Sequence, residues 1–339
     1  MPRVTAIDVA RRLGVSQPTV SAAFRPAGGT VRVSKELRDR ITRTAMEMGY
    51  RPNVAARAQR TGRFGTIGLI ASSHPGRGFL PQALLHGMSD ELRRSNLRLL
   101  FGELPYQELT EPHQVPQLLR EWSCDGFIIN SIHDLPPALF EPLKQSRSPV
   151  VWLNRKQPEN AVYPDEVQAG RRAAETLIQR GCRRLGLVNQ HGRRHYSVAD
   201  RIDGVSGCLS DGGFDAPAEL DADVFRNPEA VPALTDWLTA NRSLDGVVCY
   251  AEEELHAVLA AAGALGIKVG HDLHVAYFAG NPRLAAPHAD PVAVLTPFEQ
   301  VGRQAVSMLN QMIKRGGSRP AIAVESTLFA DARNGSGRG

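Results

Sequence analysis

Residues 5–24 read TAIDVARRLGVSQPTVSAAF, two short helical patterns joined by a tight turn. Thr5 stands at a capping position with Asp8 three residues on, and Ile7, Val9, Ala10 and Leu13 supply an apolar stripe. Gly14 stops this helix. Ser16 caps a second one, Pro18 fits its first turn because its missing N–H has no intrahelical partner there, and Val20 with Ala23 or Phe24 points inward. This is a helix-turn-helix pattern. In that motif the second helix lies in the major groove and offers its early exposed side chains, here Gln17, Thr19, Ser21 and Ala22, to base edges. A generic pair of short core helices is the competing reading.

The charge distribution bears on that choice. Residues 1–63 hold 13 Lys/Arg against 4 Asp/Glu, a net of +9, while all 339 residues carry +5, so the remainder is −4. A cationic amino-terminal module suits phosphate neutralisation, the source of most sequence-independent DNA affinity. Apolar residues make up 42% of the chain, ordinary for a globular protein of two or three units. No apolar run reaches the ~18 residues that span a bilayer, and no hydrophobic signal core precedes the first helix, so a cytoplasmic protein without a membrane segment is expected. Cys124, Cys182, Cys208 and Cys249 are scattered, which points to buried reduced thiols and not to a metal or redox site.

Residues 25–33 read as a loop, and Ser34 caps a third helix through Leu37, Ile41 and Ala45 that Gly49 ends. Three helices in about fifty residues enclose only a small core. A turn at 50–53 leads into an alanine-rich piece at 54–60, with Arg57, Arg60 and Arg63 in and beside it. Too short to be a stable lone helix, this piece needs DNA or a second copy of itself to fold, and is a candidate hinge.

These residues resemble a known family. Asp8-Val9-Ala10, Gly14-Val15-Ser16, Thr19-Val20-Ser21, Val33-Ser34, Gly49-Tyr50-Arg51-Pro52-Asn53 and Ala56-Arg57 are similar, in order and spacing, to the DNA-binding headpiece of the LacI/GalR family of bacterial repressors. The resemblance implies double-stranded operator DNA as partner, contacted by Thr5, Ser16, Gln17, Pro18, Thr19, Ser21 and Ala22, and by Asn53, Ala56, Arg57, Gln59 and Arg60 in the hinge. Two departures matter. Ala22 stands where the family commonly has Arg, which puts the usual operator sequence in doubt. Gln59 stands where a hinge Leu wedges into the minor groove, and an amide lacks the apolar body that pries a base step apart.

From residue 66 apolar runs alternate with helical stretches. Runs at 66–71, 97–101, 126–130 and 150–153 alternate with helices such as 81–94 and 115–121. A second series at 185–189, 246–250 and 273–278 accompanies helices near 168–180, 197–211, 228–240 and 252–265. Alternation of this kind predicts parallel sheets with helices on both faces, and two series predict two lobes with a ligand cleft beyond the strands' carboxyl ends. No phosphate-binding glycine fingerprint occurs in strand-to-helix context, and no cofactor is expected. This region too resembles the family, whose body is a two-lobed fold of the type I periplasmic-binding-protein kind: Asp125-Gly126, Asp165, Arg201 with Gly204, Asp245-Gly246-Val247 and Gly302-Arg303 fall at the expected intervals. The implied division is a headpiece at 1–50, a hinge at 51–64, a first lobe at 65–164 and 296–322, a second lobe at 165–295 and 323–333, and a flexible tail at 334–339.

For the cleft, the resemblance implies that Arg201 reaches a bound effector; the competing reading pairs it with Asp200 or Asp203 on the surface. Glu252-Glu253 replaces a common Asn-Asp pair, and Phe278-Ala279-Gly280 lacks the Asp that often follows Phe, which removes an acceptor for adjacent sugar hydroxyls. His74, Phe79, Arg201, Tyr250, Glu252 and Phe278 are the candidate effector contacts. Basic residues near the strand ends, His191, Arg193, Arg194 and His195 among them, allow a sugar derivative or an anionic metabolite, or are simply solvated loop cations. His195, Ser197 and Asp200 are a trio of catalytic residue types, but sequence neighbours do not make a triad and no nucleophile turn is present, so no enzyme is expected. The reading is a homodimeric regulator, a repressor by resemblance, whose effector controls how paired hinges order on DNA. A solute-binding receptor and a regulator that has lost its ligand response are the alternatives.

Overall fold

The computed structural model describes residues 4–24, 32–51, 58, 62–72, 80–104, 123–130, 148–190, 195–222, 230–280 and 290–329. The helix expected at 115–121 lies outside them, as do Asn53, Ala56, Arg57, Gln59, Arg60, His74 and Phe79. The chain divides into two compact units, Met1–Phe64 and Gly65–Gly339.

The first unit contains α1 (Ala6–Leu13), α2 (Gln17–Ala23) and α3 (Lys35–Glu47). Each begins at a side-chain cap. The Thr5 N–H donates to Asp8 Oδ2 at 2.9 Å while the Asp8 N–H donates to Thr5 Oγ1 at 3.4 Å, so two otherwise orphaned donors are satisfied reciprocally. Ser16 Oγ accepts from the Thr19 N–H at 3.3 Å, and Ser34 Oγ from the Leu37 N–H at 3.2 Å. Gly14 ends α1 at φ 66°, the left-handed conformation that glycine adopts without steric cost. Val9, Ala10, Val20, Ala23, Ile41 and Ala45 form the small core. Ile7 departs from the expected stripe: it is 54% exposed, because in the first turn of an eight-residue helix it lies on the far side from the Val9-Ala10 face.

The second unit holds two six-stranded sheets. In chain order the first half runs β1 (Thr66–Ser72), α4 (Gln82–Ser95), β2 (Arg98–Leu104), β3 (Phe127–Asn130), β4 (Val150–Leu153) and β5 (Ala161–Asp165). There follow α5 (Glu166–Gln179), β6 (Leu185–Gln190), α6 (Tyr196–Asp211), β7 (Ala218–Ala222), α7 (Ala230–Ala240), β8 (Gly246–Cys249), α8 (Glu252–Ala264), β9 (His274–Ala279) and β10 (Val292–Leu295). Last come α9 (Phe298–Arg315), β11 (Ile322–Glu325) and β12 (Thr327–Leu328). The first sheet is parallel in the order β11-β5-β4-β3-β1-β2, and the second has the order β12-β10-β9-β8-β6-β7 with only β12 antiparallel. Central strands β3 and β8 are buried throughout, as a sheet covered on both faces requires.

The chain passes between the sheets three times, after β5, after β10 and at Ser326. The last passage corrects the boundary expected at 322. Ile322 to Glu325 pair with Val162 to Asp165 in the first sheet, and only Thr327 and Leu328 join the second. A four-residue edge strand with one buried side chain carries too little apolar pattern to reveal which sheet it joins. Register brings the carboxyl ends level: Ala71 lies beside Asn130 and Asn130 beside Leu153, while Val188 lies beside Cys249 and Cys249 beside Tyr277.

Two helix pairs cross on glycine. A Cβ on Gly302 of α9 would collide with the Leu84 carbonyl oxygen of α4, and one on Gly87 of α4 with the Glu299 carbonyl oxygen. Gly170 of α5 and Gly204 of α6 stand in the same reciprocal relation through the carbonyls of Arg201 and Val167. The second crossing brings Arg201 against the start of α5. Among the described residues no helix is long and apolar enough to cross a membrane.

Candidate nucleic-acid interface and effector cleft

In the first unit, the amino-terminal turn of α2 displays Ser16, Gln17 and Pro18 to solvent, with Thr19 and Ser21 half-buried. The Ser16 and Thr19 hydroxyls bond each other at 2.8 Å, so Gln17 is the long polar side chain of this turn that reaches outward. Arg38 of α3 donates to the Ala23 carbonyl at 2.5 Å and ties the far end of α2 to the core. Arg11, Arg12, Arg32, Lys35, Arg40 and Arg51 are exposed around this frame. Ala22 is a correction: it is buried, not offered to a base edge. A methyl group scarcely projects beyond the helix backbone, so modest packing hides it. Thr5 is occupied in the capping box, where its hydroxyl donates to Asp8 Oδ2 at 2.7 Å.

In the second unit, polar groups from both sheets meet beyond the strand ends. From the first sheet, Asn154 follows β4 at φ 54° and its Nδ2 donates to Asn130 Oδ1 at 2.9 Å. From the second, His195 caps α6 and its Nε2 lies 3.0 Å from the Asn154 carbonyl. A carbonyl only accepts, so Nε2 carries a proton. In the neutral ring, Nδ1 then accepts from the Ser197 hydroxyl at 2.7 Å, whose oxygen accepts from Tyr250 Oη at 2.7 Å. The chain of bonds thus runs from one sheet to the other.

Arg201 lies beneath it. Nε donates to Glu166 Oε2 at 2.7 Å, Nη2 to Glu166 Oε1 at 3.0 Å and Nη1 to the Tyr250 carbonyl at 2.6 Å. Its guanidinium also stacks 4.0 Å from the Phe278 ring centroid and 4.6 Å from that of Tyr250. Burial works against the charge, but Glu166, helped by Tyr250 and Tyr196, outweighs it and holds the guanidinium pKa above its ordinary value. Neither surface partner proposed from sequence holds Arg201. Asp200 instead receives Lys156 Nζ on both oxygens, at 2.7 and 2.9 Å, and Asp203 is exposed. That same ion pair removes Asp200 from the His195–Ser197 hydrogen bond, so the trio does not form a relay.

Arg201, Tyr250 and Phe278 therefore come together as a group. Glu252 opens α8 with one carboxyl oxygen buried and without a hydrogen-bond partner among the described residues, and burial, reinforced by Glu253 and opposed by His256, pushes its pKa up. A raised folded-state pKa stabilises below the unfolded value and is lost as pH rises through the folded one. Glu252→Gln is accordingly expected to stabilise the protein at pH 7 by at most about 1 kcal/mol, after allowance for solvent screening, with the gain gone below pH ~4. Denaturant titrations at the two pH values would check this; equal effects at both would refute it.

Glu166, Asn130, Asn154, Lys156 and Ser197 were not among the contacts expected from sequence. Glu166 is 35 residues from Arg201, and only the α5–α6 crossing unites them. A local signal existed for Ser197 and His195, which follow a strand and begin a helix, the place where such folds bind ligands. Cys182, Cys208 and Cys249 are buried and Cys124 half-buried, and burial pushes the Cys182 thiol up to about 11. Among the described residues no His, Cys, Asp or Glu cluster could hold a metal ion.

Residues 5–53 match the family model described as bacterial regulatory proteins, lacI family, and residues 174–329 match that of a periplasmic binding protein-like domain. The chain is 27% identical over 315 residues to the ribose operon repressor of Bacillus subtilis, covering 92% of each. It is 23% identical over 329 residues to the HTH-type transcriptional regulator RegA of Clostridium saccharobutylicum, covering 95% of this chain and 96% of that one. Among solved structures, a lac repressor dimer bound to operator and the anti-inducer ONPF aligns with a TM-score of 0.74 at 18% identity, over 96% of this chain and 98% of that one. A complex of the transcriptional regulator CelR with cellobiose aligns with a TM-score of 0.62 at 22% identity, over 96% and 98%. A chain with a capped helix-turn-helix ahead of two six-stranded sheets, parallel but for β12, and matched along nearly its whole length by such regulators, belongs to the LacI family of bacterial transcriptional regulators.

Proposed function

We propose that this regulator is a cytoplasmic, homodimeric repressor, not a catalyst, that reads operator DNA through α2 and responds to a small metabolite held between its two sheets. The observation that carries the DNA-reading half is the first turn of α2: capped by Ser16, braced by Arg38 and extending Gln17 into solvent amid exposed arginines. A two-fold protein suits two half-sites one helical turn or more apart. Leu100 and Phe101, exposed on the edge strand β2, offer apolar surface to a second copy. Hinge residues Asn53, Ala56, Arg57, Gln59 and Arg60 complete the interface in this reading. The hydrogen-bond chain from Asn130 to Tyr250 spans the two sheets, so a ligand that displaces part of it changes how they meet. A coupling of about 1–3 kcal/mol would move operator affinity 5- to 150-fold.

Gln17→Ala is expected to lower the preference for the selected operator over scrambled duplex by about 1–3 kcal/mol while leaving the salt dependence of binding unchanged. Gel-shift titrations on both duplexes at several salt concentrations measure this. Equal weakening on both would remove Gln17 from the base-reading set.

The engagement of three of the five Arg201 N–H groups by Glu166 and the Tyr250 carbonyl favours a second reading, a regulator that takes no ligand. Thermal unfolding against a panel of neutral sugars separates the two. A ligand present at 100 times its dissociation constant stabilises by about 2.7 kcal/mol, and a flat response across the panel would favour the second reading.

A further inference from the structure

An arginine within a cleft whose loops are basic in sequence invites an anionic ligand, and the geometry argues otherwise. We infer that Glu166 is the specificity-determining residue of the cleft: by bonding the Nε–Nη2 edge of Arg201 it cancels the cation that, among the described residues, lies against the Phe278 and Tyr250 rings, so the cleft accepts uncharged hydroxyl-bearing molecules and rejects phosphorylated or carboxylated ones. The inference rests on the reading of this cleft as a ligand site.

A guanidinium grips an oxyanion through a pair of parallel N–H bonds from one edge. Glu166 already occupies the Nε–Nη2 edge in that manner, and Nη1 is drawn to the Tyr250 carbonyl. The Phe278 and Tyr250 rings cover the flat faces of the group. Arg201 therefore has one N–H left on each terminal nitrogen among the described residues, donors for a hydroxyl that belong to a group whose charge Glu166 already neutralises. The other cation of this cluster, Lys156, is bonded to both oxygens of Asp200. Among the described residues the strand ends further present the uncharged Asn130, Asn154, Ser197 and Tyr250, the buried amide nitrogen of Asn189 without a hydrogen-bond partner, and the carboxyl group of Glu252 at the start of α8, which repels an anion. An anion entering so balanced a site would lose its hydration and find no unpaired cation among the described residues in return.

Glu166 is placed for the role by its position. It is the first residue of α5, directly after the cap Asp165, where the helix amino terminus favours negative charge, and the Gly170–Gly204 crossing sets α6 close enough for the bidentate bond.

The test uses the full chain with inorganic phosphate as probe, at constant ionic strength, in thermal unfolding of wild type, Glu166→Gln, Arg201→Gln and the double variant. Glu166→Gln keeps the shape and removes the charge. Its apparent phosphate affinity is expected to rise about tenfold or more over wild type, the scale of one bidentate contact, and to fall back when Arg201→Gln is added. Wild type is expected to show no phosphate response that depends on Arg201; subtraction of the Arg201→Gln curve removes phosphate bound at the basic headpiece. A wild-type response abolished by Arg201→Gln would overturn the inference, and so would a folded Glu166→Gln without any gain. Should Glu166→Gln not fold, the comparison of wild type with Arg201→Gln still decides. Failure of the ligand-site reading shows elsewhere, as a flat response of wild type to neutral sugars.

Discussion

Gly302→Ala is expected to destabilise the second unit by about 3 kcal/mol, the upper end of what added methyl groups cost in close-packed interiors. The new Cβ would overlap the Leu84 carbonyl oxygen, which is backbone, and would lie 3.1 Å from Met88 Cγ. A side-chain end could swing aside. A carbonyl held in a helix backbone cannot, so α4 and α9 must separate, and Leu84, Met88, Val301 and Leu309 in the core between them lose contacts together. Gly263→Ala is the internal control: nothing among the described residues lies within 4 Å of its Cβ position in α8, and removing a helical glycine should stabilise by about 0.5–1 kcal/mol. Denaturant midpoints of the two variants should therefore move in opposite directions. Movement of Gly302→Ala by less than the Gly263→Ala gain would show that the crossing is not tight.

Arg201→Ala is expected to cost about 3–5 kcal/mol, because it leaves the Glu166 carboxylate buried without its partner. The physical cause is the stranded charge more than the lost bond. Replacing both members, as Arg201→Met with Glu166→Leu, should recover most of that loss, since apolar groups of similar volume leave nothing unsatisfied. Denaturant titrations measure both variants. Arg201→Met alone keeps most of the volume and still strands the carboxylate; should it be as stable as wild type, the cost belongs to the emptied volume beside Phe278 and Tyr250 instead.

These effects reside where the sequence was least legible, and the reason is distance along the chain. The caps at Thr5, Ser16 and Ser34 and the stop at Gly14 act between residues three or four apart, so residue order alone determined the headpiece helices. The central strands were legible too: burial on both faces demands unbroken apolar runs, and Phe127–Asn130 and Val150–Leu153 supply them. The edge strands Ala218–Ala222 and Ile322–Glu325 carry no such run, because one side of an edge needs little apolar cover, and the passage at Ser326 was misplaced for that reason. Ala22 appeared exposed by helical spacing and is buried by its surroundings. Arg201 was marked as a cleft residue, yet its charge state within the cleft depended on Glu166, 35 positions earlier. Local hydrogen bonding and hydrophobic period were thus written in residue order, whereas the glycine crossings, the Glu166–Arg201 pair and the bridge from Asn154 to His195 were decided only in three dimensions, since each joins backbone or charge from elements that no local pattern connects.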